Sequence, residues 1–224
     1  MRRGLALLAL VVACACAPAV SAAPYAQQSF LVVRPAHASL ALHAAPGGPV
    51  LAKVGRTTSF GTPVVLGVVA RRTGWFGVTT DAVPNGKVGW VRSRDAVVGV
   101  VHDAIRVSLS AKKLELYAGG RLVRSYVVGI GAASSPTPVG RFAVAEKLPG
   151  SSQGSVYGCC ILGLSVHQLH PPASWSRSGN YLVAIHGGGG LGTAVSAGCL
   201  HLDEAGLRYL MDDVPLGTPV FIEG

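Results

Sequence analysis

The sequence predicts a mainly β protein in two parts, with one short helix near its C-terminus, and three observations predict it. The 224-residue chain is divided into short runs rich in Val and Thr and bounded by Gly, Pro or Asn, such as "SFLVVRP", "GTPVVLGVVARR", "GWFGVTT", "KVGWVRS" and "IRVSLS". Two glycine-bearing dipeptides, Asn85-Gly86 and Gly119-Gly120, lie between such runs, where a two-residue hairpin turn needs positive φ. Only "LDEAGLRYLMDDV" carries a helical period: Asp203 is placed to cap it, and Leu207, Leu210, Met211 and Val214 make its apolar stripe.

The N-terminus reads as a secretory signal over residues 1–22. Arg2 and Arg3 precede an apolar run from Leu5 to Val12, and the small residues of "APAVSAAP" allow cleavage after Ala22. The run is too short for a permanent membrane span. Cys14 in "VVAC" offers an alternative, the lipid-bearing cysteine of a lipoprotein. Either way the protein is expected outside the cytoplasm, in the cell wall or periplasm.

Removing the signal leaves about 200 residues, enough for one large or two small domains. The formal charge of +9 is unevenly spread. From Pro24 to Val100 eight Lys/Arg face Asp81 and Asp95, a net of +6; from Val101 to Gly224 nine Lys/Arg face eight Asp/Glu, a net of +1. A basic exported module suits an anionic cell-wall polymer, and export makes nucleic acid an improbable partner. The sequence implies no oligomeric state.

In the basic part, Asn85-Gly86 is expected to turn one strand into the next, with Val88, Trp90 and Arg92 sharing a face beyond it. Core packing is the expected role of Trp90. In the second part Ile105, Val107 and Leu109 alternate, then Leu114 and Leu116, and after the Gly119-Gly120 turn Leu122, Tyr126 and Val128. Pro136 and Pro138 bracket Thr137 on a loop, and Gly140 turns into a strand over 141–145. "YGCCILGLSVH", "YLVAIHGGGG" and "VSAGCLHL" are further strands or strand ends, and "PLGTPVFIE" closes the chain.

Two resemblances arise from these pieces. Trp75, Gly86, Gly89, Trp90 and Val91 make residues 28–98 resemble the bacterial SH3-like domains attached to cell-wall enzymes, which implies a small barrel that binds the wall. Residues 104–224 resemble an L,D-transpeptidase catalytic domain of the YkuD type. The matching pieces are "IRVSLSAKKLELY", "PTPVGRF", "YGCCILGLSVH", "AIHG", "LGTAVSAGCLHL" and "VPLGTPVFI", in the family's order. The second resemblance implies a β-sandwich with one short helix after the nucleophile, acting on peptidoglycan stem peptides without a cofactor or metal. His186 and Cys199 match the base and nucleophile positions, and Ser196 and Gly198 match as well. Ala197 stands where the family usually has histidine, His201 where arginine or asparagine is usual, and the glycine-rich stretch after His186 is short.

The residue types explain the chemistry independently. A thiol near neutral pH is only a few per cent thiolate, so attack on an amide needs a neighbouring base or positive charge. His186 ends the apolar strand "YLVAI" beside Gly187, where a glycine run lets substrate approach. The Gly198 and Cys199 backbone N–H groups are placed to form an oxyanion hole, with Ser196, Gly187 and His201 in support or substrate contact. His201 shares a face with Cys199 on an extended segment, so it is open to three readings: substrate contact, rival base, or a hydrogen-bonded strand histidine. Acyl transfer to an amine gives cross-linking, and transfer to water gives a carboxypeptidase.

Two other classes compete. His167, His170, His186, Cys199 and His201 would be the ligands of a zinc hydrolase, although Pro171-Pro172 breaks any helix bearing the first pair. Ala197 and His201 also fit a non-catalytic wall-binding protein. Cys159 and Cys160 are adjacent; a bond between them closes an eight-membered ring, so reduced, buried cysteines are the expectation.

Overall fold

The computed structural model describes residues 23–175 and 181–224; the expected signal segment, with Cys14, lies outside the described residues. The basic half supplies β1 (Phe30–Pro35), β2 (Ser39–His43), β3 (Val50–Gly55), β4 (Leu66–Arg72), β5 (Trp75–Thr79), β6 (Gly89–Arg92) and β7 (Ala96–Val101). They form one antiparallel sheet in the order β3-β2-β6-β5-β4-β1-β7. Its core is made by Val33, Leu40, Leu42, Leu66, Val78 and Val91.

The second half supplies β8 (Asp103–Ser108), β9 (Lys113–Ala118), β10 (Arg121–Val127), β11 (Ile130–Gly131), β12 (Gly140–Pro149), β13 (Cys160–His167), β14 (Leu182–Gly187), β15 (Ala194–Ser196), β16 (Leu200–Leu202), α1 (Glu204–Asp213) and β17 (Pro219–Glu223). Eight of its strands form a sheet in the order β10-β9-β8-β17-β12-β13-β14-β16, and β11 pairs with β15. The fold is therefore mainly β, and the one α-helix among the described residues lies just after Cys199, as the sequence predicts. Asp203 accepts the Gly206 N–H at 2.8 Å as the N-cap, and Leu207, Leu210 and Val214 are buried under the strands. Among the described residues no helix is long and apolar enough to cross a membrane.

The turn chemistry is partly as expected. Gly119 and Gly120 join β9 to β10 with φ of 55° and 81°, and no side chain is needed there. Asn85-Gly86 departs from the expectation. It lies in the long connection between β5 and β6, where the Lys87 N–H donates to the Pro84 carbonyl (3.0 Å) and only Gly86 has positive φ. The tight hairpin of this sheet is instead Thr73-Gly74, where Arg72 pairs with Trp75. The physical reason is that the Asn85 side chain is engaged elsewhere. Its Nδ2 donates to the His167 carbonyl at 2.7 Å and its Oδ1 accepts the His167 N–H at 2.9 Å.

Trp90 also departs from its expected place in the core. Val78 and Val91 fill the interior, while Trp75 and Trp90 are half-buried and lie under cations. Arg92 sits 5.5 Å from the Trp75 ring, Arg72 sits 6.0 Å from the Trp90 ring, and His43 meets Trp75 edge-on at 5.0 Å.

The halves meet over a shared junction. Phe30, Val32 and Val101 pack with Ala104 and Phe221 in one apolar cluster. Polar links run alongside: Thr79 to Ser165 (3.2 Å), Arg141 Nη2 to the Val68 carbonyl (3.2 Å), and His167 Nε2 to the Asp81 carbonyl (2.8 Å). Since Asn85 satisfies both polar groups of the His167 backbone, Asn85→Ala is expected to cost about 1–3 kcal/mol of stability. Thermal unfolding of the variant checks this, with a lowered midpoint as the expected result.

Candidate active site

The site follows from strand register. β13 pairs with β14 so that Ile161 faces His186 and Gly163 faces Ala184. β14 then runs parallel to β16, placing His186 opposite His201 and Ile185 opposite Leu200, which carries Ala184 opposite Cys199. Directly opposed residues share a sheet face. His186 and Cys199 are therefore neighbours on one face, although 12 residues separate them in the chain. Both line a cavity of about 610 Å³, with His201, Ser196 and Ala197 at the same end.

His186 is buried, 7% exposed, with Tyr157 edge-on to its ring at 4.8 Å. Its Nδ1 lies 2.5 Å from the Gly187 carbonyl. A carbonyl only accepts, so Nδ1 carries the proton and Nε2 is left as the acceptor. Burial lowers the His186 pKa from the ordinary 6.5 to about 4; the Gly187 bond raises it and the nearby His201 lowers it further. The ring is thus neutral, and basic at Nε2, at physiological pH. Cys199 is half-buried and is the free cysteine among the described residues. Burial pushes its thiol above the ordinary value, against a smaller backbone hydrogen-bond effect at Ala184. The resting pair is therefore thiol and imidazole rather than thiolate and imidazolium.

The turn before Cys199 corrects one expectation. The Gly198 N–H donates to Ser196 Oγ at 3.1 Å, and Ser196 Oγ donates to the Cys199 carbonyl at 2.5 Å. The Gly198 amide is engaged inside its own turn and does not point to a substrate oxygen; the amide of Cys199 itself remains the candidate. Gly198 has φ of 112°, and a Cβ there would collide with the Gln168 side chain. Ser196 is thus a buried brace of the turn. Gly187 is buried as well. It packs against Gly158, where a Cβ would come within 3.0 Å of the Gly158 Cα, and its carbonyl fixes the His186 ring.

His201 stacks at a tilt on His186, with ring centres 5.1 Å apart, and its Nδ1 donates to the Gly189 carbonyl at 2.8 Å. A Cβ on Gly188 would run into the His201 ring. The short glycine run therefore folds down over this histidine. The zinc ligands are not gathered: His167 is bonded across the junction to Asp81, and among the described residues no group of three or more His, Cys, Asp or Glu side chains is arranged to hold a metal.

The expectation of reduced Cys159 and Cys160 is corrected too. A disulfide joins them, with Cα atoms 3.7 Å apart. Gly158, at φ of 72°, lets the chain turn sharply into β13, and the Cys159 N–H donates to Glu204 at 3.2 Å, which holds the pair at the turn.

Sequence reasoning missed several residues that build the site. Gln168, 5% exposed, shares its Nε2 among the carbonyls of Ala197 (2.8 Å), Pro136 (3.2 Å) and Ser135 (3.3 Å), and its Oε1 accepts the His170 N–H. It ties the proline loop to the turn before Cys199. Nothing periodic marks it; it lay inside "HQLH", read only for its histidines. Glu146 of β12 and Phe60, from the connection between β3 and β4, line the cavity from its far side.

Comparison with known proteins identifies the family of the second half. The family model for the YkuD L,D-transpeptidase catalytic domain matches residues 102–222. The YkuD protein of Bacillus licheniformis is 31% identical over 123 residues, covering 53% of this chain and 64% of its own length. The ErfK/SrfK protein of Salmonella typhimurium is 30% identical over 139 residues, covering 54% of this chain and 44% of its own. The chain thus spans less than two thirds of the length of one of these curated relatives and less than half of the other. Among solved structures, an L,D-transpeptidase from Mycobacterium smegmatis aligns over 86% of this chain and 99% of its own, at 15% identity and a TM-score of 0.46. With the family model covering more than half of its residues, this chain belongs to the YkuD family of L,D-transpeptidase catalytic domains.

Proposed function

We propose that this protein is an exported L,D-transpeptidase that cross-links peptidoglycan stem peptides. The observation that carries the reading is the neutral His186, its Nδ1 fixed to the Gly187 carbonyl, sharing a cavity and a sheet face with the Cys199 thiol. In the first step Cys199 Sγ bonds to the donor carbonyl carbon while its proton passes to His186 Nε2. The carbon–nitrogen bond then breaks, and His186 returns that proton to the departing D-amino acid. In the second step the amine of a neighbouring stem attacks the thioester, gives a proton to His186, and the leaving thiolate takes it back. Water in place of the amine makes the same site an L,D-carboxypeptidase. Negative charge developing on the carbonyl oxygen is met by the Cys199 N–H.

The basic half, residues 28–98, is proposed as the wall-binding unit, SH3-like in kind. Its support is the net positive charge and the exposed Arg71 and Arg72 beside the half-buried Trp75 and Trp90. Residues 1–22 are proposed as the cleaved export signal.

Incubating the protein with a tetrapeptide stem should give a covalent adduct on Cys199, read by mass spectrometry. Cys199→Ala should remove adduct and turnover together, and His186→Ala should slow acylation about a hundredfold or more. No adduct on the wild-type protein would sink the reading.

The pH profile carries a second expectation. His186 acts as a base only when neutral, so the acylation rate should stay level as pH falls through 6.5 and drop only near its pKa of about 4. A fall centred between pH 6 and 7, in stopped-flow acylation, would place the proton on an ordinary histidine instead. For the basic half, reversing Arg71 and Arg72 to Glu should reduce co-sedimentation of the full chain with purified cell wall, as added salt should. Unchanged recovery would remove this surface from the anchor.

A further inference from the structure

Glu146 is an acid in the catalytic groove that the acyl-transfer steps do not use. Its side chain is 3% exposed, yet it lines the same cavity as Cys199. Thr58 Oγ1 donates to its Oε2 at 3.0 Å, from the connection between β3 and β4 that also brings Phe60 to the cavity. Among the described residues no lysine or arginine pairs with it. A buried carboxylate met only by neutral hydroxyls is costly unless a cation arrives to match it. Burial accordingly raises the Glu146 pKa, the hydrogen bonds from Thr62 and Thr58 offset that in part, and the negative charge of Asp81 adds to the rise.

Register fixes where this carboxylate lies relative to the nucleophile. Glu146 faces Gly163, Gly163 faces Ala184, and Ala184 stands opposite Cys199, so the four form one row across the sheet. Three strand-to-strand steps of about 4.8 Å put their ends about 14 Å apart at Cα. The two middle positions carry the smallest side chains, which leaves a trough between thiol and carboxylate. Gly163 is bound to stay small, since a Cβ there would lie 2.8 Å from the Glu146 Cβ.

We propose that Glu146 is a specificity residue that receives a protonated amine on the donor stem peptide, carried on a long side chain of the residue whose carbonyl Cys199 attacks. The assignment rests on the transpeptidase reading. In that chemistry the acyl acceptor is an amine of a neighbouring stem, and donor and acceptor are stems of one kind. The donor therefore brings its own copy of the amine into the groove. Lying along the trough, that side chain directs its ammonium away from Cys199 and onto the carboxylate. Such an arrangement also keeps the donor's amine from resolving its own thioester.

The test is peptide binding to the full chain carrying Cys199→Ala, read by calorimetry, with a tetrapeptide stem bearing a free side-chain amine and the same peptide acetylated on that amine. Adding Glu146→Gln, which keeps the Thr58 contact and removes the charge, should weaken binding of the free-amine peptide about tenfold or more. The acetylated peptide should bind both proteins alike and more weakly, which also reports that the groove is intact. Equal affinity of the free-amine peptide for both proteins would overturn the assignment, as would an equal loss with the acetylated one. The acyl-transfer reading stands or falls separately, on the Cys199 adduct of the wild-type protein. Amine selectivity without an adduct would retain Glu146 and remove the chemistry.

Discussion

The parallel pairing of β14 with β16 is the constraint on which the site depends. Neither strand carries the pair alone: His186 is the penultimate residue of β14, and β16 begins just after Cys199. Their register puts His186 and Cys199 on one face, and the buried Ile185, Leu200 and Leu202 hold that register from the other side. A slip of one residue would turn either His186 or Cys199 into the core, where hydrophobic side chains now pack. Packing energy thus maintains the placement of His186 beside Cys199, and the polar brace of Ser196 and Gln168 only adjusts the turn between them.

Burial then sets the electrostatics. A histidine 7% exposed beside a second imidazole resists protonation, and a half-buried thiol resists losing its proton. The two effects oppose a resting ion pair and leave proton transfer to the moment of attack. His201 contributes to the first: its ring leans on His186, and its Nδ1 draws the glycine run down beside it. An arginine at this position would bring a permanent charge there, whereas His201 brings a ring that also serves as a scaffold.

The fold class, the helix and its cap and the Gly119-Gly120 hairpin were legible because each rests on short-range pattern; His186 and Cys199 stood out by a local signature, and strand register brings them onto one face. Three features were not. Asn85-Gly86 has the composition of a tight hairpin, but the Asn85 side chain found His167, 82 residues away, and long-range partners leave no trace in local spacing. The Gly198 amide looked available because backbone engagement by Ser196 depends on a turn geometry that sequence does not encode by period. Trp90 was expected inside because aromatic residues in small sheets usually pack there; Arg72 instead covers its outer face.

The bond between Cys159 and Cys160 closes no length of chain. A crosslink that spans no loop removes almost none of the unfolded chain's freedom, so it adds little to global stability by that route. Its consequence is chemical. Each sulfur has satisfied the other within a single peptide unit, and neither is left as a thiol to capture Cys199 in a mixed pair. Cys199 is left as a free thiol while its two nearest competitors in sequence are bonded to each other.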